Sequence, residues 1–229
     1  MIQWVYERAR RSSAREVIIA TDDSRIAHAA RGFGAAVVMT AVTHASGTDR
    51  IAEVARREGW GADEIVVNVQ GDEPLMPEAL IEQVAALLET YPSADVATLA
   101  TPIESPDALM NANVVKVVAD KEQRALYFSR APIPWMREAG PMESVRPGGH
   151  ADARRHLGIY AYRVAALTQL AALPPSALEQ LEQLEQLRAL ENGLEIRVAD
   201  ALVNPGADVN TAADVARVEA LLAEETTRR

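Results

Sequence analysis

Cysteine is absent from this 229-residue chain, which excludes disulfide bonds, thiolate metal ligands and a cysteine nucleophile. Histidine is scarce as well, with four in all, so a zinc enzyme is not expected. No apolar run is long enough to cross a bilayer, and Trp4, Glu7 and Arg8 interrupt the first residues. We therefore expect neither a membrane span nor a signal peptide, and a location in the cytoplasm.

Positively charged residues are also fewer than negatively charged ones. Lys and Arg total 23 against 33 Asp and Glu, which leaves a net charge of -10. This balance argues against nucleic-acid binding, because non-specific binding to phosphates depends on a basic surface. An anionic small molecule would need a divalent cation or a local group of Arg and Lys to offset the negative charge.

Short apolar runs alternate with amphipathic stretches along most of the chain. The runs at 17–20, 37–39 and 65–69 are each followed by a helical pattern, and further apolar runs lie at 96–101 and 114–118. This alternation predicts an α/β fold with a mostly parallel sheet covered by helices. Length and composition require no second domain, so residues 1–229 are expected to form a single one.

Two segments depart from this alternation. Prolines at 102, 106, 132, 134, 141 and 147 punctuate the region between about 103 and 150, which predicts an arm with a flexible loop. Farther on, Leu-Glu-Gln triplets place leucines at 178, 181, 184 and 187. One amphipathic helix with a buried leucine stripe is favoured over a coiled coil, because so few repeats fall short of sustained heptads.

The run from Glu64 to Pro74 is a nearly continuous apolar strand that ends in glycine and two carboxylates, Asp72 and Glu73. Such a position lies at the carboxyl edge of a sheet, where open α/β folds bind ligands. Asp72 is therefore a candidate Mg²⁺ ligand, since Mg²⁺ prefers oxygen ligands and often bridges phosphates. An equally weighted interpretation is that Asp-Glu-Pro only ends the strand and begins a helix.

Two polar clusters allow similar alternatives. The turn His44-Ala-Ser-Gly-Thr-Asp-Arg50 precedes a helix, so its N–H groups could receive an anion, although an ordinary N-cap is the favoured interpretation of the pattern alone. In Arg154-Arg-His-Leu-Gly-Ile-Tyr160, two adjacent arginines favour an anion site, while a lone histidine there is more often structural. Gly32-Phe-Gly34 follows a helix and precedes a strand, which predicts a turn and not a dinucleotide fingerprint.

Five motifs stand in order along the chain: His44-x-Ser-Gly-Thr-Asp-Arg50, Val67-Asn-Val-Gln-Gly-Asp-Glu-Pro74, Leu126-Tyr-Phe-Ser-Arg-Ala-Pro-Ile-Pro-Trp135, Arg155-His-Leu-Gly-Ile-Tyr160 and Leu181-Glu-Gln-Leu-Glu-Gln-Leu-Arg188. Together they resemble the 3-deoxy-manno-octulosonate (KDO) cytidylyltransferases, or CMP-KDO synthetases, over about residues 1–222. The sialic-acid cytidylyltransferases share the fold and chemistry, but the third and fourth motifs are more similar to the KDO enzymes.

The resemblance implies a Rossmann-like nucleotidyltransferase fold and a homodimer formed through the proline-containing arm. It also implies that CTP and KDO bind over the carboxyl edge of the sheet, and that CMP passes to the anomeric hydroxyl of KDO with release of pyrophosphate, for lipopolysaccharide biosynthesis. Mg²⁺ is the implied cofactor, held by the catalytic Asp72 together with Asn210. The implied nucleotide contacts are Gln70, Ser46, Gly47 and Thr48, and the implied sugar contacts are Arg130, His156, Tyr160, Glu185 and Gln186.

The chain departs from the family pattern at both ends. The family begins with a strand and an Ala-Arg-x-x-Ser-x-Arg phosphate loop, whereas Met1-Ile-Gln-Trp-Val-Tyr-Glu-Arg8 already resembles the helix that follows. We therefore expect a start codon placed too far downstream or a truncated gene, with unpaired edges on the strands that neighbour the absent one. Near the C-terminus, Asn210 stands where the family has an Asp, so it offers an oxygen without charge unless Asp208 takes over part of the role.

Two alternatives to catalysis with KDO stay open. One is a non-catalytic remnant that folds and binds the sugar acid without turning over CTP, since the phosphate loop is lacking. The other is activation of sialic acid within the same fold.

Overall fold

A computed structural model describes residues 1–44, 46–135, 137, 150–207, 209 and 211–227. Within these residues, no helix is both long and apolar enough to cross a membrane. The elements in chain order are α1 (Ile2–Ala9), β1 (Ile18–Thr21), α2 (Ser24–Gly32), β2 (Ala36–Met39), α3 (Gly47–Glu58), β3 (Ile65–Asn68), α4 (Glu78–Thr90), β4 (Val96–Ile103), α5 (Pro106–Met110), β5 (Lys116–Ala119), β6 (Ala125–Ser129), β7 (His150–Arg163), α6 (Val164–Ala172), α7 (Ala177–Glu182), α8 (Gln186–Glu191), β8 (Ile196–Asp200) and α9 (Ala212–Thr227).

The strands form two sheets. β1 and β2 pair in parallel as a two-stranded sheet, with Ile18 opposite Ala36. The larger sheet has the order β6-β5-β7-β4-β8, and β3 also pairs with β7. β4 and β8 are parallel, whereas β7 is antiparallel to β3, β4 and β5. The predicted α/β class is confirmed, but the large sheet is mixed and not mostly parallel, because the 14-residue β7 runs between strands of the opposite direction.

Helices cover both faces of the large sheet. Alternate residues of β4 show this: Val96 and Ala100 pack with α3, α6 and α8, whereas Ala97 and Leu99 pack with α1 and α4. A strand that is buried on both faces has a nearly continuous apolar sequence, as β4 does. The carboxyl ends of β3 and β4 therefore belong to a sheet that helices cover on both faces.

The leucine-rich segment forms two short helices instead of the single helix predicted. Gln183, with φ 53°, lies in the left-handed region and ends α7, and α8 begins at Gln186. Leu184 and Leu187 are buried, but Leu181 is 80% exposed, so the predicted continuous leucine stripe is wrong. The break reorients the chain so that Glu185 reaches the turn before α3.

The region predicted as an arm is partly built into the sheet. β5 and β6 pair as an antiparallel hairpin, and Lys116 of β5 lies opposite Arg155 of β7. Val117 and Phe128 are fully buried in the main core, so this hairpin cannot be a free arm. The prolines flank these strands and do not mark the whole region as irregular. Residues 136 and 138–149, the rest of the predicted flexible loop, lie outside the described residues.

Gly206 connects the C-terminal segment to the loop after Asp72. Its φ is 84°, and a Cβ at this position would lie 2.7 Å from Leu75 Cβ and 3.1 Å from the Leu75 carbonyl oxygen. Leu75 in turn packs with Val218 and Leu222 of α9. Gly206 is thus required both by its backbone conformation and by its close approach to Leu75.

We expect Gly206→Ala to destabilise the protein by about 2–4 kcal/mol, from roughly 1–2 kcal/mol of left-handed strain and a similar cost of overpacking. Thermal denaturation should show a melting temperature lower by roughly 5–15 °C. Gly34→Ala is the matched control, because Gly34 has φ 82° but nothing within 4 Å of an added Cβ. Equal losses in the two variants would contradict the role of the Leu75 contact.

Candidate active site

The polar end of β3 carries Asp72 to the predicted carboxyl edge. Asp72 is half-buried, and its main-chain oxygen accepts a hydrogen bond of 2.9 Å from the N–H of Val209. Beside it, the Oε1 atom of Glu73 lies 3.5 Å from the position that a Cβ on Gly158 of β7 would occupy. The end of β3 therefore meets the backbone of β7 and the segment before α9. Asp208 and Asn210 lie outside the described residues.

The turn before α3 lies against this edge. Ser46 is the N-cap of α3, and its Oγ accepts the N–H of Asp49 at 3.2 Å, so the favoured N-cap interpretation is confirmed. A Cβ on Gly47 would lie 3.5 Å from the amide nitrogens of Asn68 and Gln70, so the turn approaches the strand end closely. Gly47 and Gln70, both predicted to contact nucleotide, are thus neighbours.

Glu185 connects this turn to the other predicted substrate region. One of its carboxylate oxygens accepts the Ser46 hydroxyl at 2.9 Å, and the other accepts the Thr48 hydroxyl at 3.0 Å. Burial raises the pKa of Glu185, although these two hydrogen bonds favour the charged form. A residue predicted to contact the sugar therefore binds two residues predicted to contact the nucleotide.

A row of rings continues from Glu185 along β7. The His156 and Tyr160 rings are 5.2 Å apart between centroids, and Tyr160 stacks on Tyr162 at 5.7 Å. The Tyr162 hydroxyl lies 3.5 Å from the Thr48 hydroxyl. Burial raises the pKa of both tyrosines well above the usual value, so they stay neutral hydrogen-bonding groups. A cavity of about 60 Å³ is lined by Val96, Tyr160, Tyr162, Leu170, Glu185, Gln186, Ala189 and Ile196.

His156 is held as a neutral imidazole. Removal from water, with a smaller contribution from the charge of Arg155, lowers the pKa of His156 to about 3. Its Nε2 atom lies 3.0 Å from the Thr98 hydroxyl, and its ring forms a T-shaped pair with Phe128 at 5.1 Å between centroids. At neutral pH this side chain can offer hydrogen bonds to a ligand but no positive charge.

The His156 pKa predicts a pH dependence of stability. The unfolded chain takes up a proton near pH 6.5 and the folded chain only near pH 3, so stability is complete above pH 6.5 and falls as the pH drops through this window. Between pH 8 and pH 5 the loss from this group is about 2 kcal/mol. We expect His156→Gln to flatten the pH dependence of the free energy of unfolding, measured by urea denaturation. His28→Gln, on the exposed surface of α2, is the control, and identical profiles for all three proteins would contradict the assignment.

Arg130 presents a fixed positive charge. Its guanidinium donates to the main-chain oxygens of Glu182 at 2.7 Å, Ala112 at 2.9 Å and Gln183 at 3.3 Å. In the described part of the chain no carboxylate pairs with this guanidinium, and three of its five N–H donors are used. The remaining donors and the unneutralised charge suit a carboxylate ligand.

The fully buried Lys116 fixes the backbone of Arg130. Its ammonium donates to the carbonyl oxygen of Arg130 at 2.6 Å, and to the carbonyl oxygens of Val114 at 2.6 Å and Asn111 at 3.0 Å. The amide of Arg130 also donates to the Glu182 carboxylate at 2.8 Å. The position of the Arg130 backbone is therefore determined from two sides.

The adjacent arginines 154 and 155 do not form one anion site. Successive residues of a strand point to opposite faces, so the two guanidiniums are divided between the faces of β7. Arg154 pairs with Asp200 through an Nε–Oδ1 distance of 3.0 Å. The prediction that these two residues form one anion site is wrong.

The structure adds three residues around the site that the sequence analysis missed: Lys116, Tyr162 and Glu182. The sequence could have indicated Lys116, since it is the single charge in the run from Val114 to Val118. It could also have indicated Tyr162, because strand alternation places Tyr162 on the same face as Tyr160. Nothing in the sequence indicates Glu182, since its position in the Leu-Glu-Gln triplets does not distinguish it from neighbouring glutamates.

The donor set at Asp72 suits a partly hydrated cation. Within the described residues, no three His, Asp or Glu side chains come together as a metal cage. Mg²⁺ commonly binds through one or two carboxylates and keeps waters for contact with phosphates. A single half-buried carboxylate at the sheet edge fits that mode of binding.

A helix-covered sheet with a carboxylate and a polar, glycine-containing turn at its carboxyl edge defines an α/β protein built to bind a nucleotide. Residues 1–196 match the family model described as Cytidylyltransferase, and the chain belongs to the cytidylyltransferase family. The predicted membership in the cytidylyltransferases is thereby confirmed.

Proteins similar in sequence support membership in this family. A 3-deoxy-manno-octulosonate cytidylyltransferase of Cellvibrio japonicus is 56% identical over 224 residues, covering 97% of this chain and 88% of the relative. One from Pseudomonas fluorescens is 54% identical over 222 residues, with 97% and 87% covered.

Solved structures give the same fold. A CMP:2-keto-3-deoxy-manno-octonic acid synthetase in complex with CTP has a TM-score of 0.87 and 41% identity, covering 98% of this chain and 88% of that one. A 4-diphosphocytidyl-2C-methyl-D-erythritol synthase has a TM-score of 0.60 at 11% identity, with 96% and 89% covered, which shows a shared fold alone.

Proposed function

We propose that the protein transfers CMP from CTP to the anomeric hydroxyl of KDO, giving CMP-KDO and pyrophosphate. The observation that carries this proposal is the double hydrogen bond of Glu185 to Ser46 and Thr48. It joins a turn suited to a nucleotide to the ring-lined face of β7, which suits a sugar. The names of the relatives at 52–56% identity support KDO as the sugar acid.

The reaction needs no covalent bond to the protein. The hydroxyl oxygen of KDO bonds to the α-phosphorus of CTP, the bond from that phosphorus to the leaving pyrophosphate breaks, and the proton of the hydroxyl passes to water. Catalysis then rests on positioning and on charge stabilisation. Asp72 would hold Mg²⁺, which when bound neutralises charge on the triphosphate. Such a cation also offsets the net charge of -10, which opposes nucleotide binding.

Recognition is divided between two sets of residues. The side-chain amides of Asn68 and Gln70 lie close to Gly47, and amide groups can donate and accept hydrogen bonds at the polar edge of a base. On the sugar side, Arg130 would bind the carboxylate of KDO, while His156, Tyr160 and Gln186 would contact its hydroxyl groups. Neutral His156 and Tyr160 suit hydroxyl groups, since neither adds a charge that a sugar hydroxyl would have to balance.

Calorimetry tests the choice of sugar acid. We expect KDO to bind in the presence of Mg²⁺ and a non-hydrolysable CTP analogue, and an equal concentration of N-acetylneuraminate to leave its binding isotherm unchanged. Competition by N-acetylneuraminate would favour sialic-acid activation instead. Binding of KDO without measurable binding of the CTP analogue would support a sugar-binding protein without turnover.

Homodimer formation is part of the proposal. β6 stands at one end of the strand order of the large sheet, and Leu126 on it is 61% exposed. Trp135, beyond the end of β6, is 62% exposed. Large apolar side chains at a sheet edge favour contact with another chain. A cytoplasmic location and a role in lipopolysaccharide biosynthesis are also part of the proposal, and both depend on the proposed substrates.

A further inference from the structure

Strand β7 carries a bulge where it pairs with β4. Thr98 of β4 lies opposite Tyr160, and Ala100 lies opposite His156, with a break in the register between these pairs. From 98 to 100 is two steps along β4, whereas from 156 to 160 is four steps along β7, so β7 has two extra residues here. Such bulges bend a strand and re-aim its side chains, and they are common beside functional sites.

The bulge brings the rings of His156 and Tyr160 together. Residues four apart in a regular strand are separated by about 13 Å, because each residue advances the chain by about 3.3 Å. The centroids of these two rings are only 5.2 Å apart. The N–H of His156 donates to the main-chain oxygen of Val115, just before β5, at 2.8 Å, which fixes one end of the bulge. Two of the predicted sugar contacts are therefore neighbours because of the extra residues.

The hydroxyl of Thr98 lies at the centre of the bulge. Thr98 is fully buried, and its Oγ1 atom lies 2.8 Å from the main-chain oxygen of Ile159 and 3.1 Å from that of Leu157. The same Oγ1 atom lies 3.0 Å from Nε2 of His156. Main-chain oxygens within a bulge lose their regular partners on the next strand. The Thr98 hydroxyl therefore meets two main-chain acceptors and one ring nitrogen.

The direction of these hydrogen bonds follows from the number of hydrogens available. A hydroxyl has one hydrogen and two lone pairs, and a main-chain oxygen can only accept. Thr98 therefore donates its hydrogen to one of the two main-chain oxygens, and it accepts a hydrogen bond from Nε2–H of His156. In the opposite arrangement, with Thr98 donating to Nε2, both main-chain oxygens would face a hydroxyl oxygen with no hydrogen between them. The neutral ring of His156 thus carries its proton on Nε2.

The other ring nitrogen of His156, Nδ1, is left with a lone pair. A neutral imidazole protonated on Nε2 can only accept at Nδ1. In the part of the chain that the structure describes, no hydrogen bond is made to Nδ1. The side chain of His156 is half-buried, so the ring is still partly accessible. Nδ1 suits a ligand group that has a hydrogen to donate, and its lone pair repels a carboxylate oxygen.

We propose that Thr98 is a positioning residue, which holds His156 in the Nε2–H form so that Nδ1 accepts a hydrogen bond from a hydroxyl group of the sugar acid. The part that concerns the sugar acid rests on the proposed function. Thr98 thereby determines specificity without touching the ligand: hydroxyl groups are accepted at His156, and the carboxylate is left to Arg130. A site built to bind a hydroxyl group discriminates against analogues that lack its hydrogen.

The first test needs no ligand. In protein labelled with nitrogen-15 at histidine, a long-range nitrogen–proton NMR spectrum at neutral pH shows which nitrogen of each ring carries the proton. The chain has four histidines, and the signals of His156 are those absent from His156→Gln. We expect His156 to carry its proton on Nε2 alone. A proton on Nδ1, or a mixture of the two forms, would overturn the proposal.

Thr98→Val tests the positioning role. The substitution keeps the shape of the side chain and leaves a buried Nε2–H without a partner, so the form with the proton on Nδ1 should become populated. Thr98→Ser keeps the hydroxyl and should restore the wild-type spectrum, and Thr98→Ala replaces Thr98→Val if the latter does not fold. Thr101→Val, on the opposite face of β4, is the control. Wild-type ring signals in the variants without a hydroxyl at position 98 would contradict the role of Thr98.

Calorimetry with KDO, Mg²⁺ and a non-hydrolysable CTP analogue measures the consequence for the sugar. We expect Thr98→Val to raise the Kd for KDO about 10-fold, from the loss of one hydrogen bond, and Thr98→Ser to restore it. An unchanged Kd in Thr98→Val would overturn the proposal. No binding of KDO to the wild type would instead contradict the proposed function, while the ring spectra would still decide the role of Thr98.

Analogues of KDO test the direction of the hydrogen bond to Nδ1. In a series with one hydroxyl at a time replaced by fluorine, which cannot donate, one analogue should bind the wild type at least about 10-fold more weakly than KDO. The same replacement should cost less in Thr98→Val, because its ring no longer has a fixed acceptor at Nδ1. Equal losses in the two proteins for every analogue would overturn the proposal.

Discussion

Asp72→Asn is expected to lower kcat/KM for CTP by about 10³-fold and to abolish Mg²⁺-dependent binding of CTP. The substitution keeps the shape of the side chain and removes the negative charge that would hold the cation beside the triphosphate. Loss of one group that stabilises transition-state charge costs about 10²–10³ in kcat in other enzymes. Pyrophosphate release gives the rate, and calorimetry with and without Mg²⁺ gives the binding.

Asp63→Asn is the matched control for this variant. Asp63 lies just before β3, at the opposite end of the strand from Asp72, and is exposed. The control should retain wild-type turnover and binding of Mg²⁺-CTP. Normal binding of Mg²⁺-CTP by Asp72→Asn would contradict the assignment of the metal ligand.

Glu185→Gln is expected to lower kcat/KM for both CTP and KDO by about 10–100-fold. A carboxylate that accepts two hydroxyl groups is replaced by an amide with a single acceptor oxygen, and a hydrogen bond to a charged group is worth about 1.5–3 kcal/mol. Because Glu185 joins the turn at Ser46 to the ring-lined face, both KM values should rise. A structural role alone would lower the melting temperature and leave both KM values unchanged.

A double-mutant cycle tests the Glu185 contact itself. Thr48→Val removes one of the two donors, and its effect on kcat/KM should be smaller in the Glu185→Gln background than in the wild type. Glu191→Gln is the control, because Glu191 lies in the same segment and accepts a single main-chain N–H, that of Leu178, at 3.0 Å. Additive effects of Thr48→Val and Glu185→Gln would mean that the two residues act separately.

Local patterns predict the elements of this fold better than their pairing. The strands β1 to β4 and the helices between them follow directly from apolar runs, caps and amphipathic spacing. The sequence does not show that β7 lies between β4 and β5, because strand partners distant in sequence are chosen by packing. The left-handed Gln183 is a comparable case: triplets of Leu, Glu and Gln favour a continuous helix, and only the contacts of Leu184 and Glu185 explain the break.

In the candidate site, too, local features could be predicted from the sequence, whereas contacts between distant residues could not. Asp72 and the turn at Gly47 could be located from the chemistry of strand ends and glycine turns, and they lie together at one edge. The separation of Arg154 from Arg155 depends on strand alternation and on the partner Asp200, which lies 46 residues from Arg154. Motif resemblance predicts a set of sugar-side residues, but it does not predict that Glu185 binds the turn at Ser46 and Thr48, since that contact spans more than 130 residues of chain.

The most direct test of CMP transfer is pyrophosphate release from CTP and Mg²⁺, measured with and without KDO. We expect release that depends on KDO, with CMP-KDO formed in equal amount. Pyrophosphate release that is the same without KDO, or its absence with all three components present, would contradict the proposed reaction.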